Sequence, residues 1–204
     1  MIALIDYGMG NLMSVYKALD FVGAKVKIVN SKNDILAADS VVLPGVGNFG
    51  DGIKHLKEKQ LDLAITQSIQ EEKPFLGICL GMQLLMESSE EAPNVKGLGI
   101  FKGEVIQFPK GNLKVPHMGW NNAIIKNAGA NIFSKISNHS YFYFVHSFYV
   151  KPKQNNIIAA SCEYGVEFAA ALAYENVFAT QFHPEKSQEK GLQLIENFVS
   201  LDKN

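Results

Sequence analysis

In the first half of the chain, short apolar runs at 2–5, 25–29, 40–43 and 74–78 alternate with segments whose apolar residues recur every three or four positions. The runs are bounded by turn-forming residues and read as buried parallel strands. The segments between them read as helices. One spans 12–22, with Leu12, Val15, Tyr16, Leu19 and Val22 on one face, Asn11 as its N-cap and Gly23 as its stop. Others are expected at 34–38, at 51–72 in one or two pieces, and at 80–88. Such alternation predicts an α/β sheet with right-handed crossovers.

The rhythm changes after Ala92. Segments 98–108, 114–125, 141–150, 157–162, 168–174 and 177–182 read as strands without long helices between them, and a last helix is expected over 188–199. The expected fold class is therefore α/β. A central mixed, mostly parallel sheet is flanked by helices, with an antiparallel excursion in the second half. No repeat, low-complexity tract or long linker divides the chain, so 1–204 is read as one domain.

Composition narrows the function classes. With 47% apolar and 19% charged residues in 204, the chain has material for a core and is not of disordered type. A net charge of -1 provides no field to hold nucleic acid or an anionic membrane. All 19 basic residues are lysine, so an anion site here relies on lysine or backbone N–H groups. The only cysteines are Cys79 and Cys162, which argues against a disulfide framework and for a reducing compartment, so a cytoplasmic location is expected. No leader or membrane span is read.

Chemistry concentrates at Gly77-Ile78-Cys79-Leu80-Gly81, where a strand runs through a tight turn into a helix. This is the nucleophile-elbow pattern with cysteine in place of serine. Small residues on both sides let the nucleophile take an unfavourable backbone conformation. The following helix aims its N-terminus at the sulfur and favours thiolate, and the Leu80 N–H is expected to be free for an oxyanion. A lone cysteine ending an apolar strand is ordinarily core; the flanking glycines shift the reading toward function. Cys162 lacks them and reads as structural.

A thiolate that transfers acyl groups needs an imidazole, and the imidazole needs an orienting group. Among His55, His117, His139, His146 and His183, the last ends an apolar strand and is followed by Pro184-Glu185. Residues two apart in an extended segment project to one side, so Glu185 can hold one ring nitrogen of His183. His55 reads as solvated in a lysine-rich helix, and His139 lies in a polar turn. The loop Pro44-Gly45-Val46-Gly47 reads as a phosphate cradle, a second set of oxyanion donors, or a plain turn. Metal spacings are absent, as is the third glycine of a dinucleotide fingerprint after Gly8-Met9-Gly10, so no cofactor or metal is expected.

Taken together, Gly77-Ile78-Cys79-Leu80-Gly81-Met82-Gln83 and Gln181-Phe182-His183-Pro184-Glu185 resemble the nucleophile and His-x-Glu motifs of the class I, triad-type glutamine amidotransferases, over nearly the whole chain. The resemblance implies a Cys79–His183–Glu185 triad that hydrolyses glutamine. It implies oxyanion donors at Leu80 and at Val46 or Gly47, and glutamine contacts at Gln83, Glu91, Ser147 and Phe148. The stretches Asp6-Tyr7-Gly8-Met9-Gly10-Asn11, Pro116-His117-Met118-Gly119-Trp120-Asn121 and Tyr143-Phe144-Val145-His146-Ser147 resemble a histidine-biosynthetic branch. Members of that branch pass ammonia to a (β/α)8-barrel cyclase subunit, so a heterodimer is implied, with Asn11, Met118, Trp120, Tyr143 and Lys186 at the interface. For Met118, Trp120 and the aromatic run 141–148, plain core packing is the alternative. Three competing functions remain: a paralogue feeding surface amino-sugar synthesis, a docking subunit without catalysis, and a cysteine hydrolase or redox sensor.

Overall fold

The computed structural model describes residues 1–109, 111, 113–126 and 131–201. Strands β1 (Ile2–Ile5), β2 (Val26–Val29), β3 (Ser40–Leu43) and β4 (Phe75–Ile78) form where apolar runs were expected. Helices α1 (Leu12–Phe21), α2 (Lys32–Leu36), α3 (Phe49–Glu58), α4 (Leu61–Gln70) and α5 (Leu80–Leu84) lie between or after them. Past α5 come β5 (Ser88–Ser89), β6 (Gly103–Gln107), β7 (His117–Ile125), β8 (Ser140–His146), β9 (Phe148–Pro152), β10 (Ile158–Glu163), β11 (Glu167–Tyr174) and β12 (Val177–Thr180). Helix α6 (Gln188–Leu201) closes the chain.

Among the described residues the main sheet has nine strands in the order β2-β1-β3-β4-β12-β11-β10-β7-β8. The first five pair in parallel and the rest antiparallel. The expected class, a mixed sheet with a parallel core and an antiparallel second half, is what forms. Alternation along the strands divides the core between two faces. Ile2 and Leu4 pack with Val15 and Leu19 of α1 and with Leu194, Ile195 and Phe198 of α6. Ala3 and Ile5 pack with Phe49, Ile53, Leu61 and Ile65 of α3 and α4. A three-stranded sheet, β5-β6-β9, lies beside the main one. No helix among the described residues is long and apolar enough to cross a membrane.

Several boundaries differ from the pattern, each for a local reason. Asn11 precedes α1 but makes no side-chain cap bond, because its backbone (φ -89°, ψ 66°) is not extended. Helix α2 starts earlier than expected because the Ser31 hydroxyl oxygen accepts the Asp34 N–H at 3.2 Å. The 51–72 segment starts at Phe49 and breaks at Gln60, whose φ is 55°. The helix expected over 80–88 stops at Leu84, and the strand expected over 98–108 shrinks to 103–107, for one shared reason. The N–H groups of Gly97, Leu98, Gly99 and Phe101 donate to the carbonyls of Glu87, Leu84, Met86 and Leu85. The segment therefore wraps the end of α5 instead of pairing as a strand. The 141–150 run splits at Ser147: β8 pairs with β7 in the main sheet, and β9 pairs with β6 in the small one.

Helix α3 follows the Pro44–Gly47 loop, and its N-terminus is capped twice. Asn48 Oδ1 accepts from the N–H of Gly50 at 2.7 Å and of Asp51 at 3.3 Å, and Glu91 Oε2 accepts the Phe49 N–H at 2.7 Å. Asn48→Ala is expected to cost about 1 kcal/mol in urea denaturation, the usual scale for a lost N-cap.

Candidate active site

Cys79 leaves β4 with φ 54° and ψ -106°, a conformation strained for any side chain. Two glycines make room for the turn. A Cβ on Gly77 would lie 2.9 Å from the Gly81 carbonyl oxygen, and one on Gly81 would lie 2.0 Å from the Leu43 carbonyl oxygen. Strand β12 fixes the other side: Thr180 pairs with Ile78 in parallel register, and the Cys79 N–H donates to the Thr180 carbonyl at 2.7 Å. Helix α5 holds five residues, so the charge at its N-terminus is smaller than the longer helix expected from sequence would supply.

Three residues past the end of β12, His183 comes beside this turn. Its backbone is extended, but Pro184–Lys186 forms a 3-10 turn in place of the extended segment expected. That turn still brings Glu185 Oε1 to 2.8 Å from His183 Nδ1, with the glutamate side chain 1% exposed. The backbone is held on three sides. The His183 N–H donates to the Tyr143 carbonyl, the Ser187 hydroxyl donates to the His183 carbonyl, and the Tyr143 N–H donates to the Ser187 oxygen. The other ring nitrogen, Nε2, is buried without a hydrogen bond. Burial, the largest influence, works against charge on this ring. The Cys79 sulfur and the Glu185 carboxylate together outweigh it and push the imidazole up to about 10. The sulfur thus acts on Nε2 from nearby without a hydrogen bond of normal geometry.

The oxyanion side departs from expectation. The Leu80 N–H is not free: it donates to the Gly45 carbonyl at 3.3 Å. The Gly45 carbonyl thus stands against a donor that the elbow pattern assigns to an oxyanion. Two further side chains reach the turn that sequence reasoning did not single out. Gln181 is buried and its Nε2 donates to Cys79 Sγ at 3.7 Å. The buried Tyr7 hydroxyl packs so tightly on Gly45 that a Cβ there would lie 2.3 Å from it. Burial and the Cys79 charge raise this phenol well above its ordinary value. The available signal was weak: Gln181 is a polar residue ending an apolar strand, and Tyr7 follows one.

A cavity of about 420 Å³ opens over Cys79. It gathers Val46, Gly47, Leu80, Gln83, Glu91, Ser147 and Phe148, all singled out from the resemblance, together with Pro116, Val145 and His146. Gln83 Nε2 donates to the Phe148 carbonyl at 3.0 Å and to Gln181 Oε1 at 3.1 Å.

The residues expected at a partner interface are not core. Met118 is 61% and Trp120 47% exposed, while Phe142 and Phe144 of the facing strand are fully buried. The Trp120 and Tyr143 rings meet edge-on, and the Lys186 ammonium lies 5.9 Å from the Tyr143 centroid. Asn11 is exposed at the start of α1, which packs against the turn carrying Lys186. His139 is exposed in its turn, as expected. His55 is not solvated: it is half-buried with Nδ1 enclosed and unpartnered, beside Gly8. Cys162 is buried, and burial pushes its thiol up to about 12.

Two outcomes follow from this geometry. Glycine relieves the positive φ at the turn, so Cys79→Gly is expected to be more stable than Cys79→Ala by about 1 kcal/mol in chemical denaturation. The raised imidazole gives a pH signature. Its contribution to stability is complete below the ordinary value of 6.5 and is lost as pH rises through about 10. The stability difference between the parent and His183→Gln should therefore narrow over that window.

Comparison with known proteins bears on the same residues. The profile of the Glutamine amidotransferase class-I family matches residues 3–201. The chain is 50% identical over 204 residues to Imidazole glycerol phosphate synthase subunit HisH 1 of Methanococcus maripaludis, covering 98% of this chain and 100% of that protein. It is 52% identical over 199 residues to the HisH subunit of Acinetobacter baylyi, covering 97% of each. A chain in the structure of PurLQS from Thermotoga maritima superposes with a TM-score of 0.80 at 20% identity, over 98% of this chain and 97% of that one, a likeness of fold alone. Identity near one half along the full length, with the family profile spanning elbow and imidazole alike, makes this chain a member of the class-I glutamine amidotransferase family, in its HisH branch.

Proposed function

We propose that this chain is the glutaminase subunit of an imidazole glycerol phosphate synthase, working through Cys79, His183 and Glu185. The observation that carries the reading is the state of one imidazole. Glu185 binds Nδ1, Nε2 is buried without a hydrogen-bond partner, and the Cys79 sulfur is close enough to favour charge on the ring. A ring held this way takes a proton from the thiol and returns it to a leaving group.

In this mechanism the Cys79 thiolate attacks the side-chain amide carbon of glutamine and a tetrahedral oxyanion forms. His183 gives its proton to the departing nitrogen, ammonia leaves, and a glutamyl thioester remains. Water, deprotonated by His183, then attacks the thioester and releases glutamate and the thiolate. Glu185 holds the imidazole in register and balances its charge. Gln83, Glu91, Ser147 and Phe148 line the cavity and bind the amino-acid end of the substrate. The oxyanion requires the Leu80 N–H, so the Gly45 carbonyl has to turn away, which presents the Val46 N–H of the same peptide in its place. In the resting arrangement that donor is occupied, which makes the isolated subunit a slow glutaminase. Ammonia passes to a (β/α)8-barrel cyclase docked over Asn11, Met118, Trp120, Tyr143 and Lys186.

The test is the complex with the cyclase, given glutamine or ammonium. Cys79→Ala is expected to lower glutamine-dependent synthesis by about a thousandfold or more, while ammonium still supports the reaction. Loss of both activities contradicts the assignment. Co-purification with a barrel of amino-sugar synthesis contradicts the pathway but leaves the chemistry in place.

A further inference from the structure

His117 on β7 and His146 on β8 are paired in register and buried, and the mechanism above uses neither. They form part of an unbroken chain of hydrogen bonds. His117 Nδ1 lies 3.1 Å from His146 Nε2, and His146 Nδ1 lies 2.8 Å from the Phe148 carbonyl oxygen. At the other end Asn121 Nδ2 lies 3.2 Å from His117 Nε2.

Both ends fix the direction of donation. A carbonyl only accepts, so His146 Nδ1 carries the proton and its Nε2 accepts. His117 Nδ1 therefore donates, and its Nε2 accepts from Asn121. The Asn121 amide cannot be reversed, because its Oδ1 accepts the Asn122 N–H at 2.8 Å and its Nδ2 donates to the Glu163 carbonyl at 2.9 Å. One arrangement satisfies every atom, with both rings neutral and protonated on Nδ1. Burial favours the neutral rings, holding His117 near 4 and His146 near 3. The Tyr164 ring stacks on His117 at 4.1 Å, and His183 also disfavours charge on His146.

The chain does not stop at Phe148. The same carbonyl accepts Gln83 Nε2, Gln83 donates to Gln181 Oε1, and Gln181 donates to the Cys79 sulfur. We propose that Asn121, His117 and His146 are positioning residues: a one-directional relay that fixes the Phe148 carbonyl, and through it Gln83 and Gln181, over the glutamine subsite. The relay begins one residue from Trp120, on the strand that carries the exposed Met118 and Trp120 side chains. This inference rests on the reading of the cavity as the glutamine site.

Two measurements test it. Long-range ¹H–¹⁵N correlation spectra of the full chain at neutral pH should show His117 and His146 neutral, each protonated at Nδ1. A cationic ring or an Nε2–H tautomer at either position overturns the relay, whatever the activity. In the complex, His117→Asn and His117→Leu make side chains of nearly equal size, but only asparagine keeps a donor near the Nδ1 position. His117→Leu is expected to lose about tenfold more glutamine kcat/KM than His117→Asn, mainly through KM, the scale of one lost buried hydrogen bond. Equal loss in both variants, or none in either, contradicts the proposal. If the leucine variant does not fold, the spectra of the parent chain decide. A parent complex with the expected tautomers but no glutaminase activity refutes the functional reading and leaves the relay standing.

Discussion

Strands β4 and β12 are nearly a hundred residues apart in sequence, and their parallel pairing is what the site depends on. Because Gly77 faces Ala179 and Ile78 faces Thr180, both strands end at the same height. Cys79 and Gln181 therefore emerge side by side, and His183 follows within one short turn. Neither strand carries the chemistry alone. Such crevices at the carboxyl ends of parallel strands recur in open α/β sheets, since loops from separate strands converge there. Here β3 adds the Pro44–Gly47 loop, and the crossing from β8 to β9 adds Ser147 and Phe148.

That convergence leaves the thiol in a strained setting. The Cys79 backbone is held at positive φ by the Thr180 carbonyl and by the closeness of Gly77, Gly81 and Leu43. Its charge partner is in place, since Glu185 holds His183 from the far side. The Leu80 N–H, the donor proposed for the oxyanion, is engaged by the Gly45 carbonyl. Under the proposed mechanism the electrostatics are set before substrate arrives, while stabilisation of the oxyanion awaits movement of the Gly45–Val46 peptide.

Sequence reading reached those parts of the molecule whose signal is local. The four parallel strands of the first half were legible because each is a short run rich in Val, Ile, Leu or Phe, with Lys27 and Ser40 as the polar exceptions. The Cys79 turn and His183-Pro184-Glu185 were legible because the chemistry demands particular neighbours. Features that depend on distant partners were not. Residues 98–101 look like strand, yet the N–H groups of Leu98, Gly99 and Phe101 serve carbonyls at and just past the end of α5. The aromatic run through Ser147 looks continuous but bridges two sheets. Gln181 and Tyr7 gain their meaning only from what folds against them. The engaged Leu80 N–H could not be read at all, since it depends on the orientation of one carbonyl in a glycine loop.

Covalent attack on glutamine by the Cys79 sulfur can be caught by acid-quenching the complex during turnover and mapping modified peptides by mass spectrometry. A glutamyl thioester is expected on the peptide that contains Cys79 and none on the peptide that contains Cys162. Sustained turnover with no acylated Cys79, or with the acyl group elsewhere, would contradict that attack.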